Sequence, residues 1–102
     1  MQFETFGYFI RKRRDILDLP LRKVAAYLDI DTSTLSKVER GERQLSPDCL
    51  NLLSEILELD LKVVQKIYIA DKITKDFGSF EHLSEGLKEA EKQIKKFKGN
   101  GN

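Results

Sequence analysis

The chain has 102 residues, 40% of them apolar and 34% charged, with one cysteine, one histidine and a formal net charge of +1. That length makes one domain with a single modest core, and the lone Cys49 excludes an intramolecular disulfide. No apolar run approaches the length of about 18 residues that a membrane span needs, and no signal-peptide pattern opens the chain, so the cytoplasm is the expected location. A nearly neutral chain does not by itself announce a nucleic-acid partner. The cations are nevertheless unevenly placed. Residues 1–43 hold nine Lys or Arg against seven acids, residues 44–76 four against six, and residues 77–102 five against four. The excess lies at the N-terminal end and is small, so any non-specific affinity for DNA phosphates is expected to be modest.

A first helix is predicted over about residues 3–17, with Phe6, Phe9, Ile10, Ile16 and Leu17 on its inner side. Pro20 opens a second helix, reaching about Leu28, at a place where a missing amide costs nothing. Leu21, Val24, Ala25 and Leu28 stand at i, i+3, i+4 and i+7, which gives that helix one apolar face. Asp29-Ile30-Asp31 breaks the pattern. Asp31 suits the N-cap of a third helix over about residues 32–40, because its carboxylate can accept the amides of the first turn. Leu35 and Val38 then face inward, together with Ile30 from the turn. Thr32, Ser33, Thr34, Ser36 and Lys37 point outward. They are small, polar side chains with one cation among them, and such a surface can lie close to base edges in a major groove. Gly41 ends the helix where a left-handed residue is favoured.

After a polar loop over residues 41–45, Ser46-Pro47 reads as an N-cap followed by proline at N1. The fourth helix buries Leu50, Leu53, Ile56 and Leu57, with Cys49 in its core. Asp60 caps a fifth helix carrying Leu61, Val64, Ile67 and Tyr68, which continues to about Lys75 because no breaker precedes Phe77-Gly78. Ser79 can cap a sixth. There Phe80, Leu83, Leu87, Ala90, Ile94 and Phe97 recur at alternating intervals of three and four. Glu81 and Glu85 gather at its start and Lys92, Lys95, Lys96 and Lys98 at its end, an order that suits the helix dipole. Gly86 costs about 1 kcal/mol relative to alanine, so this helix depends on packing. Either it folds back on its own domain, or it pairs with a second copy through Phe80, Leu83, Leu87, Ile94 and Phe97. The expected organisation is a domain over residues 1–76, an amphipathic helix over 77–98, and a disordered tail over 99–102.

Ala25, Ile30, Leu35-Ser36 and Glu39-Arg40-Gly41 stand at the spacing of the phage-repressor-type (XRE or Cro-like) helix-turn-helix family, which the chain resembles from about residue 5 to residue 70. The likeness extends back to Phe6-Gly7, Ile10 and Arg14, and forward through Ser46-Pro47 and Leu50 to Leu59. It implies an all-α fold: a five-helix, lambda-repressor-like DNA-binding domain, here with an added C-terminal amphipathic helix. In that fold the third helix enters the major groove, usually as part of a two-fold dimer on an operator of two half-sites. Thr32, Ser33, Thr34 and Lys37 match the base-contacting positions. Arg22, Lys23, Ser36, Arg40 and Arg43 are candidates for phosphate contacts, Ser36 being equally suited to a hydrogen bond within the motif. The family's usual Gln contact at the start of the second helix is replaced here by Pro20-Leu21, and Arg22 is the substitute read from the sequence. Asp29 holds a turn position that is often glycine. The resemblance also pairs Arg14 with Glu39 in a structural ion pair, and leaves Arg11, Lys12 and Arg13 as a solvated cationic end.

Catalysis finds little support. His82 and Cys49 lie far apart in sequence and do not make a metal site, no glycine loop cradles a phosphate, and the carboxylates are interleaved with lysines as on exposed helix faces. No cofactor is expected. The favoured reading is a double-stranded-DNA-binding regulator acting as a homodimer: a repressor or autoregulator, with controllers of restriction-modification genes among its look-alikes. The other reading is an antitoxin or interaction module that binds a protein partner through the C-terminal helix.

Overall fold

A computed structural model describes residues 5–100, and every regular element within them is helical. The order is α1 (Phe6–Ile16), α2 (Leu21–Tyr27), α3 (Thr32–Glu39), a 3-10 turn (Pro47–Cys49), α4 (Leu50–Ile56), α5 (Leu61–Phe77) and α6 (Leu83–Asn100). The chain divides into two compact units, one up to Asp71 and one from Lys72 onward, with the boundary inside α5. The helices therefore follow the five-plus-one pattern expected of a lambda-repressor-like domain with an added C-terminal helix.

In the first unit the core is built from Phe6 and Ile10 of α1, Val24, Ala25 and Leu28 around α2, Leu35 and Val38 of α3, Leu50, Leu53 and Leu57 around α4, and Val64 of α5. Each fully buried Leu, Ile or Val contributes about 1.5–3 kcal/mol relative to an exposed one. Leu45, read from the sequence as the end of a polar loop, is also buried. Tyr68 donates from its hydroxyl to the Leu45 carbonyl and meets Phe6 edge to face at 5.1 Å. Together these contacts tie the loop after α3 to α5. Ile16 departs from the expected pattern: it is 65% exposed, because α1 ends at that residue and its last turn lies beyond the core. The proposed start of the first helix at Phe3 lies outside the described residues.

Short helices must stop sharply, and here four of them stop in the same way. Asp18, Asp29, Gly41 and Glu58 have φ of 55°, 57°, 77° and 54°, in the left-handed region. The next residue in each case returns its amide to a carbonyl five positions back: Leu19 to Arg14, Ile30 to Ala25, Glu42 to Lys37 and Leu59 to Ser54. This is the Schellman arrangement, which satisfies helix carbonyls that would otherwise lack partners. Leu19, Ile30 and Leu59 then pack against the core. Arg13 reinforces one of these ends by donating from Nε to the Leu57 carbonyl (2.8 Å) and from its guanidinium to the Glu58 carbonyl (3.1 Å). It is thus a cationic cap for α4, not the solvated charge expected from the sequence. At the amino ends, Thr5, Ser46 and Asp60 cap through their side chains. Asp31 occupies the N-cap of α3 with extended backbone, but its carboxylate makes no capping hydrogen bond. Cys49 lies half-buried in the 3-10 turn just ahead of α4, where burial pushes its thiol pKa up.

The second unit comprises the end of α5, a turn over residues 78–82, and α6. Ser79 does not cap the last helix; it lies in that turn, and α6 begins four positions later at Leu83. Phe80 is accordingly in the turn, not on the helix, and stacks edge to face on Phe77 with centroids 5.6 Å apart. Gly99 and Asn100 continue α6, and positions 101 and 102 lie outside the described residues. None of the described helices is long and apolar enough to cross a membrane.

Gly7 is the position where this packing leaves no room. A Cβ built there would collide with the Val38 carbonyl oxygen and stand 2.7 Å from that of Glu39. Both obstacles are backbone, so neither can rotate away. Gly7→Ala is expected to cost about 3 kcal/mol, at the upper end of overpacking effects, read as a lower urea midpoint. An unchanged midpoint would show that α1 and α3 can separate without penalty.

Candidate nucleic-acid interface

The helix-turn-helix is α2, the turn at Asp29–Asp31, and α3. One side of α3 is covered by α1 and α2 through Leu35 and Val38, which are 0% and 2% exposed. Thr32, Ser33 and Lys37 are exposed on the other side, while Thr34 and Ser36 are half-buried. Of the residues expected to point outward, those two are therefore only partly available.

An eight-residue helix does not hold its own direction in water. Here the carboxyl end of α3 is fixed to α1. Gly7 permits the backbones to touch, and Arg14 grips Glu39 in a bidentate pair, Nε to Oε2 at 2.8 Å and Nη2 to Oε1 at 3.0 Å. The third guanidinium nitrogen donates to the Leu19 carbonyl at 2.9 Å, so the pair is also tied to the turn between α1 and α2. The two side chains are 13% and 6% exposed. Hydrogen bonding to Glu39 raises the Arg14 pKa still further, against a smaller opposing effect of burial. This is the structural ion pair that the resemblance implied.

The cations differ in what already engages them. Arg22 and Lys23 are exposed on the first turn of α2, and Arg43 is exposed in the loop after α3. Arg40, the C-cap of α3, is held by its neighbours. Its Nε donates to Glu42 Oε2 at 2.7 Å and another of its nitrogens to Ser36 Oγ. Ser36 thus takes up the hydrogen bond within the motif that its position allowed. Hydrogen bonding to Arg40 lowers the Glu42 carboxyl pKa from its ordinary value. Glu42 is the element of this surface that the sequence reading missed. Its signal was available: Gly41 makes a left-handed turn, and the residue after such a turn folds back along the helix end.

Residues 10–64, more than half of the chain, match the protein family described as Helix-turn-helix. Among solved structures, the fold is similar to that of the clp gene regulator ClgR from Corynebacterium glutamicum, with a TM-score of 0.57 and 20% sequence identity over 92% of this chain and 86% of that one. At that identity the likeness concerns the fold. No curated protein matches the chain.

Removing one partner of a partly buried ion pair strands the other charge, at a cost of up to about 3–5 kcal/mol. Glu39→Ala should therefore lower the thermal midpoint first, with any effect on DNA binding following from it. Unchanged melting together with lost binding would place Glu39 at the DNA instead of in the scaffold.

Proposed function

The chain belongs to the helix-turn-helix family, and on that premise we propose that it is a sequence-specific, double-stranded-DNA-binding transcriptional regulator with α3 in the major groove. The observation that carries this reading is the division of α3 into a face locked by α1 and α2 and an opposite face of exposed Thr32, Ser33 and Lys37. In this reading Lys37 donates to guanine O6 and N7, and the Thr32 methyl packs on a thymine methyl. Ser33 and the more sheltered Thr34 complete the base-reading row. Arg22, Lys23 and Arg43 hold phosphates on either side, and Arg40 joins them by leaving Glu42. Two copies on two half-sites would make the chain an operator-binding regulator, most simply a repressor or autoregulator, acting by occlusion or by recruitment of polymerase. The description of its fold neighbour as a gene regulator accords with this proposal.

A second reading, in which the C-terminal helix binds a toxin or another protein, is favoured by Leu87, Ile94 and Phe97, which are 42%, 54% and 78% exposed. Selection from random duplexes separates the two. A regulator enriches a two-fold-symmetric sequence and loses affinity steeply as salt rises. A chain indifferent to every duplex at low salt would leave the interaction module.

On the selected sequence, Lys37→Ala should cost about 1–3 kcal/mol and relax preference at one base pair, whereas Arg22→Ala should weaken all sequences alike and lower the salt slope by about one. An equal loss on every sequence with Lys37→Ala would make that residue a phosphate contact. Glu42→Gln frees Arg40 and removes an anion from the interface. It should tighten binding to unrelated duplexes and steepen the salt dependence, as measured by titration at several ionic strengths. Weaker binding would assign Glu42 a positive role in holding Arg40 toward DNA.

A further inference from the structure

We propose that the C-terminal unit docks on a second copy of itself, with the two α6 helices antiparallel and Phe97 of each copy seated in a groove of the other. The proposal supplies the contact for the two-copy reading above, and rests on it only for the number of copies.

Within the second unit lies an apolar groove of about 490 Å³. Phe77, Phe80, Leu83 and Leu87 line it with large apolar side chains, and Gly86 and Ala90 line it with almost no side chain. Gly86 is informative. A Cβ built there meets nothing within 4 Å, so packing inside this chain does not require glycine. Its helical cost of about 1 kcal/mol has no return within the monomer. An absent side chain in the middle of a helix, opening on an apolar hollow, leaves space for a group from outside.

The group that fits is carried farther along the same helix. Ile94 and Phe97 continue the stripe of Leu83, Leu87 and Ala90, yet they lie beyond the groove and are 54% and 78% exposed. One end of α6 thus bears a hollow and the other bears two large apolar side chains. A two-fold axis across the middle of the helix brings each hollow to the other copy's knobs and buries both at once.

Shape sets the direction, and charge agrees with it. Residues 81–91 contain four glutamates and one lysine, whereas residues 92–98 contain four lysines and no acid. Parallel pairing would set hollow against hollow and knobs against knobs, leaving both unmatched. Antiparallel pairing matches them and also sets each acidic half along a basic one; Glu91 and Lys98 flank the apolar stripe and the other charges stand farther round the helix, so charge adds a solvent-screened preference to the one that shape sets. A different protein partner would need no such self-complementarity between the two halves of one helix.

The test uses the full-length chain. Sedimentation at high micromolar concentration should show a dimer, and Phe97→Glu should weaken association by about tenfold or more, the loss expected for one unburied phenylalanine. Phe97 is largely exposed, so this variant keeps its helix content and melting. Gly86→Leu fills the hollow and should also weaken the dimer while raising helix content. Spin labels at Lys98→Cys in a Cys49→Ser background should then lie about 20 Å or more apart, because position 98 stands about 10 Å along α6 from its middle at 1.5 Å per residue. A monomeric wild-type chain, a dimer indifferent to Phe97→Glu, or labels within about 10 Å, as adjacent parallel helices would place them, would each overturn the proposal. Dimerisation is read without DNA, so failure of DNA binding would leave this result standing.

Discussion

The outward face of α3 depends on how the carboxyl end of that helix meets α1. Two features act at the same junction, and they are complementary. Gly7 removes the side chain that would hold the backbones apart, and the Arg14–Glu39 pair closes on the contact once it forms. The first sets distance and the second sets rotation, because a bidentate guanidinium–carboxylate pair has a preferred plane. Burial of Leu35 and Val38 is non-directional and fixes the roll of α3 less sharply than the pair does. A helix that reads base edges has little tolerance for such roll, since hydrogen bonds weaken steeply with angle.

The tight helix ends support that junction from a distance. At Asp18, Asp29 and Glu58 a non-glycine residue accepts the left-handed conformation, at a cost of about 1–2 kcal/mol each. In return the next side chain, Leu19, Ile30 or Leu59, is turned into the core, and the chain reverses without a long loop. Leu19 contributes twice, since its carbonyl also receives Arg14. The backbone strain at Asp18 is thereby connected to the ion pair that orients α3.

The sequence made the helical framework legible because each helix carries an apolar face at helical spacing, and because Pro20, Gly41, Ser46-Pro47 and Asp60 punctuate it. Helix ends governed by a non-glycine turn were less visible: nothing in the identity of Glu58 marks a left-handed residue. Interactions made by long side chains were hidden for a different reason. In the sequence Arg13 looks like a solvated cation and Arg40 like a free phosphate contact, yet one caps α4 and the other is engaged by Ser36 and Glu42. Which of these occurs depends on the carbonyls and carboxylates that the fold brings within reach. Ser79 failed as a cap because Phe80 stacks on Phe77, which keeps the chain in a turn until Leu83. Most of the framework was therefore readable, and so were the exposure of Lys37 and the Arg14–Glu39 pair. The charge environment around the candidate contacts was not.

That environment gives the near-neutral net charge a physical meaning. Asp31 lies at the start of α3 and Glu42 just beyond its end, both exposed, so the helix proposed to enter the groove is bracketed by anions. Each opposes the phosphates and lowers the sequence-independent part of binding. Specificity is a ratio, and reducing the non-specific term raises it as surely as adding a base contact. Arg40 makes this balance conditional: held by Glu42 it contributes little net attraction, whereas a phosphate that displaces the carboxylate gains a full cation. In the proposed complex such an exchange would require close seating of α3, and that seating would require the row of Thr32, Ser33 and Lys37 to match the bases beneath it. A surface poor in net positive charge is thus consistent with DNA recognition when attraction is strengthened only in the fitted complex.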